Sequence, residues 1–158
     1  MKEILFHDFA VTVPNHWFDI TWELDGDPPS ETVAPKGGVG RLQFQFYLPA
    51  VTDSPASALE DLRKLLPLFA KRYHLGKPHD LTSRESPRPM IAASYQEGSE
   101  FLRACYLVDQ GRQAEILYFC DHEAEHAKEL AEVEEIVRSL RFYAAPDGAT
   151  RVLNPKRI

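Results

Sequence analysis

Phe101-Leu102-Arg103-Ala104-Cys105-Tyr106-Leu107-Val108, then Asp109-Gln110-Gly111-Arg112, then Gln113-Ala114-Glu115-Ile116-Leu117-Tyr118-Phe119-Cys120 is the stretch that decides how this chain folds. Two runs rich in aromatic and branched residues, separated by Gln110-Gly111, read as a β-hairpin with a two-residue loop. That register sets Cys105 opposite Ile116 and Cys120 opposite Phe101. Successive strand residues point to opposite faces. Phe101, Cys105, Leu107, Ile116 and Tyr118 therefore share one face. Leu102, Ala104, Tyr106, Leu117 and Phe119 share the other. A hairpin that is apolar on both faces must be covered on both, and helices can do the covering.

The flanking sequence supplies two such helices. Downstream, the spacing predicts a helix over 123–139, with Leu130, Val133, Val137 and Leu140 as its buried stripe and Ile136 beside it. Glu129, Glu132 and Glu135 are expected to lie mostly away from that stripe. Upstream, Asp53 or Ser54 can cap a helix that has Pro55 in its first turn. Leu59, Leu62, Leu66, Phe69 and Tyr73 recur at intervals of three and four along it. Pro67 is expected to kink or split this helix near 63–66, because proline lacks the amide N–H and crowds the preceding turn. Gly76 is a plausible stop.

The remaining runs read as strands. Arg41-Leu42-Gln43-Phe44-Gln45-Phe46-Tyr47-Leu48 alternates apolar and polar, the signature of a half-buried strand. Segments 9–13, 17–24, 79–84 and 91–96 are strand candidates, the first ended by Pro14. Residues 25–40 form a long loop with three prolines and three glycines beyond Gly26, and loops this long are often functional. A short strand over 140–143 closes the chain. The order is strands, helix, four strands, helix, short strand. The expected fold class is α+β: a mainly antiparallel sheet with helices on both faces, an α/β/α sandwich. Residues 1–143 form one domain in this reading. Residues 144–158 are a tail carrying Arg151, Lys156 and Arg157.

Composition narrows the function. The chain has 158 residues, 44% hydrophobic and 27% charged, a globular balance. A domain of this size buries roughly 70% of its extended surface and needs no disulfide or metal for stability. No run reaches the ~20 apolar residues of a membrane span. The N-terminus turns polar after Ile4-Leu5-Phe6, too soon for a signal-peptide core. The net charge of −6 argues against nucleic-acid binding and suits either a basic protein partner or plain solubility. Cys105 and Cys120 fall too far apart along the hairpin to bridge, and two buried free thiols fit a reducing compartment. The expected location is cytoplasmic.

Motifs of catalysis are sparse. His122-Glu123-Ala124-Glu125-His126 matches H-E-x-x-H, in which two imidazoles one helical turn apart grip zinc and the glutamate activates water. Here the string opens a helix directly after a strand and contains a second charge, Glu125. Carboxylates in a first turn are explained by the helix dipole. The helix start is the preferred reading, and a zinc hydrolase the alternative. Gly37-Gly38-Val39-Gly40 precedes a strand, whereas a phosphate cradle needs a following helix. There is no G-x-S-x-G elbow, and the cysteines sit mid-strand among apolar neighbours. No catalytic residue, metal site or cofactor is assigned.

Aromatic residues point elsewhere. Trp17, Phe18 and Trp22 crowd one short segment, so at least one must face away from the core, and exposed aromatics anchor protein interfaces. With Glu23, Asp25, Asp27 and Glu31 next to them, they form the expected partner-binding surface.

Val11-Thr12-Val13-Pro14-Asn15-His16-Trp17, residues 41–48, and Glu134-Glu135-Ile136-Val137-Arg138-Ser139-Leu140-Arg141-Phe142 together resemble the PsbP-like fold group. That group includes photosynthetic lumen proteins, a Ran-binding family and bacterial adaptors that load effectors for type VI secretion. The resemblance spans residues 1 to about 143. It implies a protein-binding role and transfers no catalytic residue. A looser resemblance is to small acidic immunity proteins that bacteria pair with toxins. The expected function is non-enzymatic: an immunity-type protein that neutralises a cognate toxin, with an effector adaptor as the alternative. An open edge strand would also admit a homodimer.

Overall fold

A computed structural model describes residues 1–47, 54–121 and 126–143. The central hairpin forms as the sequence predicts. Strand β8 (Glu100–Asp109) pairs antiparallel with β9 (Arg112–Cys120), with Cys105 opposite Ile116 and Phe101 opposite Cys120. Around it are β1 (Lys2–Leu5), β2 (Phe9–Val13), β3 (Trp17–Asp19), β4 (Thr32–Pro35), β5 (Gly40–Tyr47), β6 (His79–Arg84), β7 (Met90–Glu97) and β10 (Arg141–Phe142). The helices are α1 (Pro55–Arg72) and α2 (His126–Ser139). The main sheet has seven strands in the order β3-β4-β5-β9-β8-β7-β6. A second sheet of three strands runs β1-β2-β10. Among the described residues every pairing is antiparallel. The fold is α+β.

The two faces of the hairpin carry two separate cores, divided as its alternation requires. Leu62, Leu66 and Phe69 of α1 pack with Ile91, Tyr95, Ala104, Tyr106 and Leu117. Val133, Ile136 and Val137 of α2 pack with Phe101, Cys105, Leu107, Ile116 and Tyr118. The three-stranded sheet shares the α2 side. Its Phe9 ring lies 5.0 Å from Phe44 of β5, and Phe6 stacks on Phe9 at 4.7 Å. These contacts join the small sheet to the large one.

Several expectations are corrected. Strand β1 is an addition to the expected strands, its alternating half-exposed side chains carrying only a weak sequence signal. The segment 17–24 is a strand only as far as Asp19, and a 3₁₀ turn, Thr21–Glu23, follows. The 25–40 loop contains β4, which includes Pro35. Helix α1 is not split at Pro67. Pro67 and Arg63 are both exposed, so water can satisfy the carbonyl that the missing N–H leaves free. Ser54 is the cap, accepting a bond from the Ser57 amide at 3.1 Å. The proposed tail and most of the H-E-x-x-H string lie outside the described residues.

The largest correction concerns α2. Glu129 is buried, at 8% exposure. Its carboxylate accepts the amides of Val39 (2.7 Å) and Gly40 (2.9 Å) and the hydroxyl of Tyr118 (2.7 Å). The glycine-rich segment thus does cradle an anion, and the anion is the chain's own glutamate. A Cβ on Gly38 would strike Glu129 and Pro35, and one on Gly40 would strike the Tyr118 ring, so glycine is needed at both. Burial, then the bond to Glu129, raises the Tyr118 pKa. Glu132 accepts from the Trp17 indole at 2.6 Å, and Glu134 pairs with Arg103 at 2.7 Å. At the far end of α2, Arg88 donates to the carbonyls of Val137, Arg138 and Leu140, where a cation complements the helix dipole.

Candidate partner-binding surface

The surface is built from residues 14–27. Trp17 N–H donates to the Pro14 carbonyl at 3.0 Å, so Pro-x-x-Trp is a tight turn. The turn delivers Trp17 into the core, fully buried, with its indole N–H on Glu132. His16 reaches the same carboxylate at 3.1 Å. Strand β3 then pairs with β4, Phe18 opposite Ala34, and alternation turns Phe18 outward to 43% exposure. The Lys2 ammonium sits 3.8 Å from its ring centroid.

Asp19 ends the strand. Its carboxylate accepts from the Thr21 amide at 2.9 Å and the Thr21 hydroxyl at 2.6 Å, the local bonding that makes aspartate a turn residue. The Thr21 hydroxyl in turn accepts from the Thr32 amide at 3.0 Å, and Ile20 N–H reaches the Thr32 carbonyl at 2.9 Å. The 3₁₀ turn is therefore stapled to β4. Trp22 stands on this fixed backbone at 83% exposure. Glu23, Asp25 and Asp27 beside it are exposed.

The structure thus divides the seven residues singled out in the sequence. Phe18, Trp22, Glu23, Asp25 and Asp27 lie on the surface. Trp17 and Glu31 do not: Trp17 belongs to the core, and Glu31 is 7% exposed. Neither can meet a partner in this conformation. A sequence signal for the site was present in the spacing of charges. No lysine or arginine occurs between Lys2 and Lys36, and that stretch holds seven carboxylates, Glu3, Asp8, Asp19, Glu23, Asp25, Asp27 and Glu31. With a chain net charge of −6, the rest is close to neutral.

Of the H-E-x-x-H string, only His126 is described; its ring stacks on Phe101 at 3.9 Å and 10°. Among the described residues no group of three His, Cys, Asp or Glu side chains is placed to hold a metal ion, and no helix is long and apolar enough to cross a membrane. Cys105 and Cys120 are both buried. Burial, reinforced by Glu134, pushes the Cys105 thiol up to about 12.

The chain is similar in structure to cyanobacterial PsbP (CyanoP) from Synechocystis sp. PCC 6803, whose solution structure superposes with a TM-score of 0.57 at 10% identity. The match covers 85% of this chain and 86% of that one. The likeness is one of fold: the chain has a PsbP-like fold. No protein-family model and no curated protein sequence matches the chain. The motif residues behind the expected resemblance meet in space. Thr12 bonds Ser139 through its amide at 2.8 Å, and Trp17 bonds Glu132, so the early strand-turn and the late helix clasp each other.

Proposed function

We propose that this chain is a non-enzymatic, cytoplasmic protein-binding domain of the immunity type, which docks a basic toxin on the Phe18–Trp22 surface and neutralises it. One observation carries the reading: Trp22 is 83% exposed on a backbone pinned by four hydrogen bonds, among exposed carboxylates. Tryptophan leads the residues that dominate binding energy. A preformed turn avoids the ordering cost that weakens flexible loops. The clustered negative charge speeds encounter with a basic partner and selects against acidic ones.

The test is a titration of the purified chain against a candidate toxin, read by calorimetry and by the toxin's own activity. Immunity predicts a 1:1 complex with full inhibition, and a loss of at least about 30-fold in affinity for Trp22→Ala, as for a hot-spot residue. A toxin that stays active when saturated sinks the immunity reading. Unchanged affinity of Trp22→Ala sinks the surface.

The adaptor reading has its own observation. Between α1 and the sheet lies a groove of about 200 Å³ lined by Leu65, Leu68, Phe69, Arg72, Tyr106, Gln113 and Glu115. Leu68 is 62% exposed at its rim. A groove of this size receives one or two apolar side chains of an effector segment. Binding there would leave the effector active and be insensitive to Trp22→Ala.

A further inference from the structure

At the opposite end of the main sheet from Trp22, a cavity of about 410 Å³ opens between β6 and α2. Thr82, Ser83, Arg84, Met90, Arg103, Glu134 and Arg138 line it. Three guanidiniums face one carboxylate, which leaves two positive charges in a chain whose total is −6. Arg103 is 4% exposed and well bonded, to Glu134 at 2.7 Å, the Ser94 hydroxyl at 2.9 Å, the Asp80 carbonyl at 3.1 Å and the Thr82 hydroxyl at 3.1 Å. It supports the wall of the cavity.

Arg84 and Arg138 are different. Arg138 is exposed and joins no ion pair among the described residues, while its backbone carbonyl is held by Arg88. Among the described residues the Arg84 guanidinium donates only to the Met90 sulfur, at 3.5 Å, and its buried Nε–H has no acceptor. A buried donor without an acceptor is costly, and native structures keep few of them. Its natural complement is an anionic oxygen. A thioether is a weak acceptor, so the contact with Met90 does not satisfy a guanidinium.

We propose that this cavity is a binding site for a small phosphate monoester, its oxyanion held by Arg84 and Arg138 with the Thr82 and Ser83 hydroxyls beside it. The charges match: a phosphate monoester carries about −1.5 to −2 near pH 7, against the two unbalanced positive charges. Arginine forks suit phosphate oxygens in paired hydrogen bonds. The volume falls within the range of roughly 300–1,000 Å³ typical of small-molecule sites, and Met90 offers an apolar wall for the group the phosphate carries.

The experiment follows the arginine Nε–H signals by ¹⁵N–¹H NMR while inorganic phosphate, and separately glycerol 2-phosphate, is added at constant ionic strength. Saturating shifts of the Arg84 and Arg138 signals are expected, with at least a tenfold loss of affinity in Arg84→Gln and in Arg138→Gln and none in Arg63→Gln on α1. Tighter binding of glycerol 2-phosphate than of inorganic phosphate is expected, and equal or weaker binding would overturn the ester as the ligand. Shifts that never saturate, shifts reproduced by sodium chloride, or an Arg84→Gln protein that binds as well as the original would overturn it.

Discussion

The two faces of the seven-stranded sheet are covered by different physics. On the α1 face, Leu59, Leu62, Leu66 and Phe69 press onto Tyr95, Tyr106 and Leu117, and the exception is Arg72, which reaches buried Glu115 at 3.2 Å. Tyr106 completes that pair with a 2.5 Å bond to the same carboxylate. On the α2 face, three glutamates of one helix each grip a different element: the 39–40 backbone, Trp17 and Arg103. Apolar packing is non-directional and tolerates sliding. Charge-assisted hydrogen bonds fix a register. The α2 face therefore locks the early strands, the glycine turn and the late helix into one arrangement, and the candidate surface around Trp22 hangs from it through Trp17 and β3.

Mutations can break this contrast. Phe69→Ala is expected to have the largest effect, a loss of about 4 kcal/mol from cavity formation, seen as a fall in denaturant midpoint. Glu129→Ala should cost about 3 kcal/mol, because it leaves two buried amides and a phenol without an acceptor. Glu129→Gln should recover part of that, since its amide oxygen still accepts. If Glu129→Ala melts with the parent chain, the distinction between the faces fails.

A pH titration sharpens it from the core of the α2 face. Cys105 is held neutral, its pKa raised from 9.0 to about 12. A raised pKa contributes stability that is complete below 9.0 and is lost as pH climbs toward about 12. Unfolding free energy measured across that window should fall, and should fall less steeply in Cys105→Ala. Trp17→Phe keeps most of the ring but removes the bond to Glu132, and should cost about 1–2 kcal/mol by chemical denaturation. Trp22→Ala is the smallest, within about 0.5 kcal/mol, because the side chain is exposed. A large stability loss there would make Trp22 a packing residue and remove it from the proposed interface.

Part of the candidate surface was legible in advance. Crowded aromatics on one short segment required that at least one face away from the core, and Phe18 and Trp22 do, with Glu23, Asp25 and Asp27 exposed beside them. Trp17 has the opposite parity to Phe18, but parity alone does not say which face is inward, and Glu31 is buried beside β4, a strand hidden within the 25–40 segment. Strand β4 stayed hidden among prolines and glycines, its pairing to β3 and β5 being long-range information. The arginine cavity was invisible for the same reason: Arg84, Arg103 and Arg138 come from three separate elements.

The sequence by itself determined the hairpin register, the assignment of each hairpin side chain to its face, and the need for a helix on both sides. These follow from the period of two along a strand and the cost of exposing apolar surface, which are local rules. Only the tertiary structure decided what Glu129 and the glycine segment do. In sequence one is a helical charge and the other a flexible loop. Across 90 residues they become a buried carboxylate and its amide cradle, because a polar group inside a protein takes whatever partner the fold brings within reach.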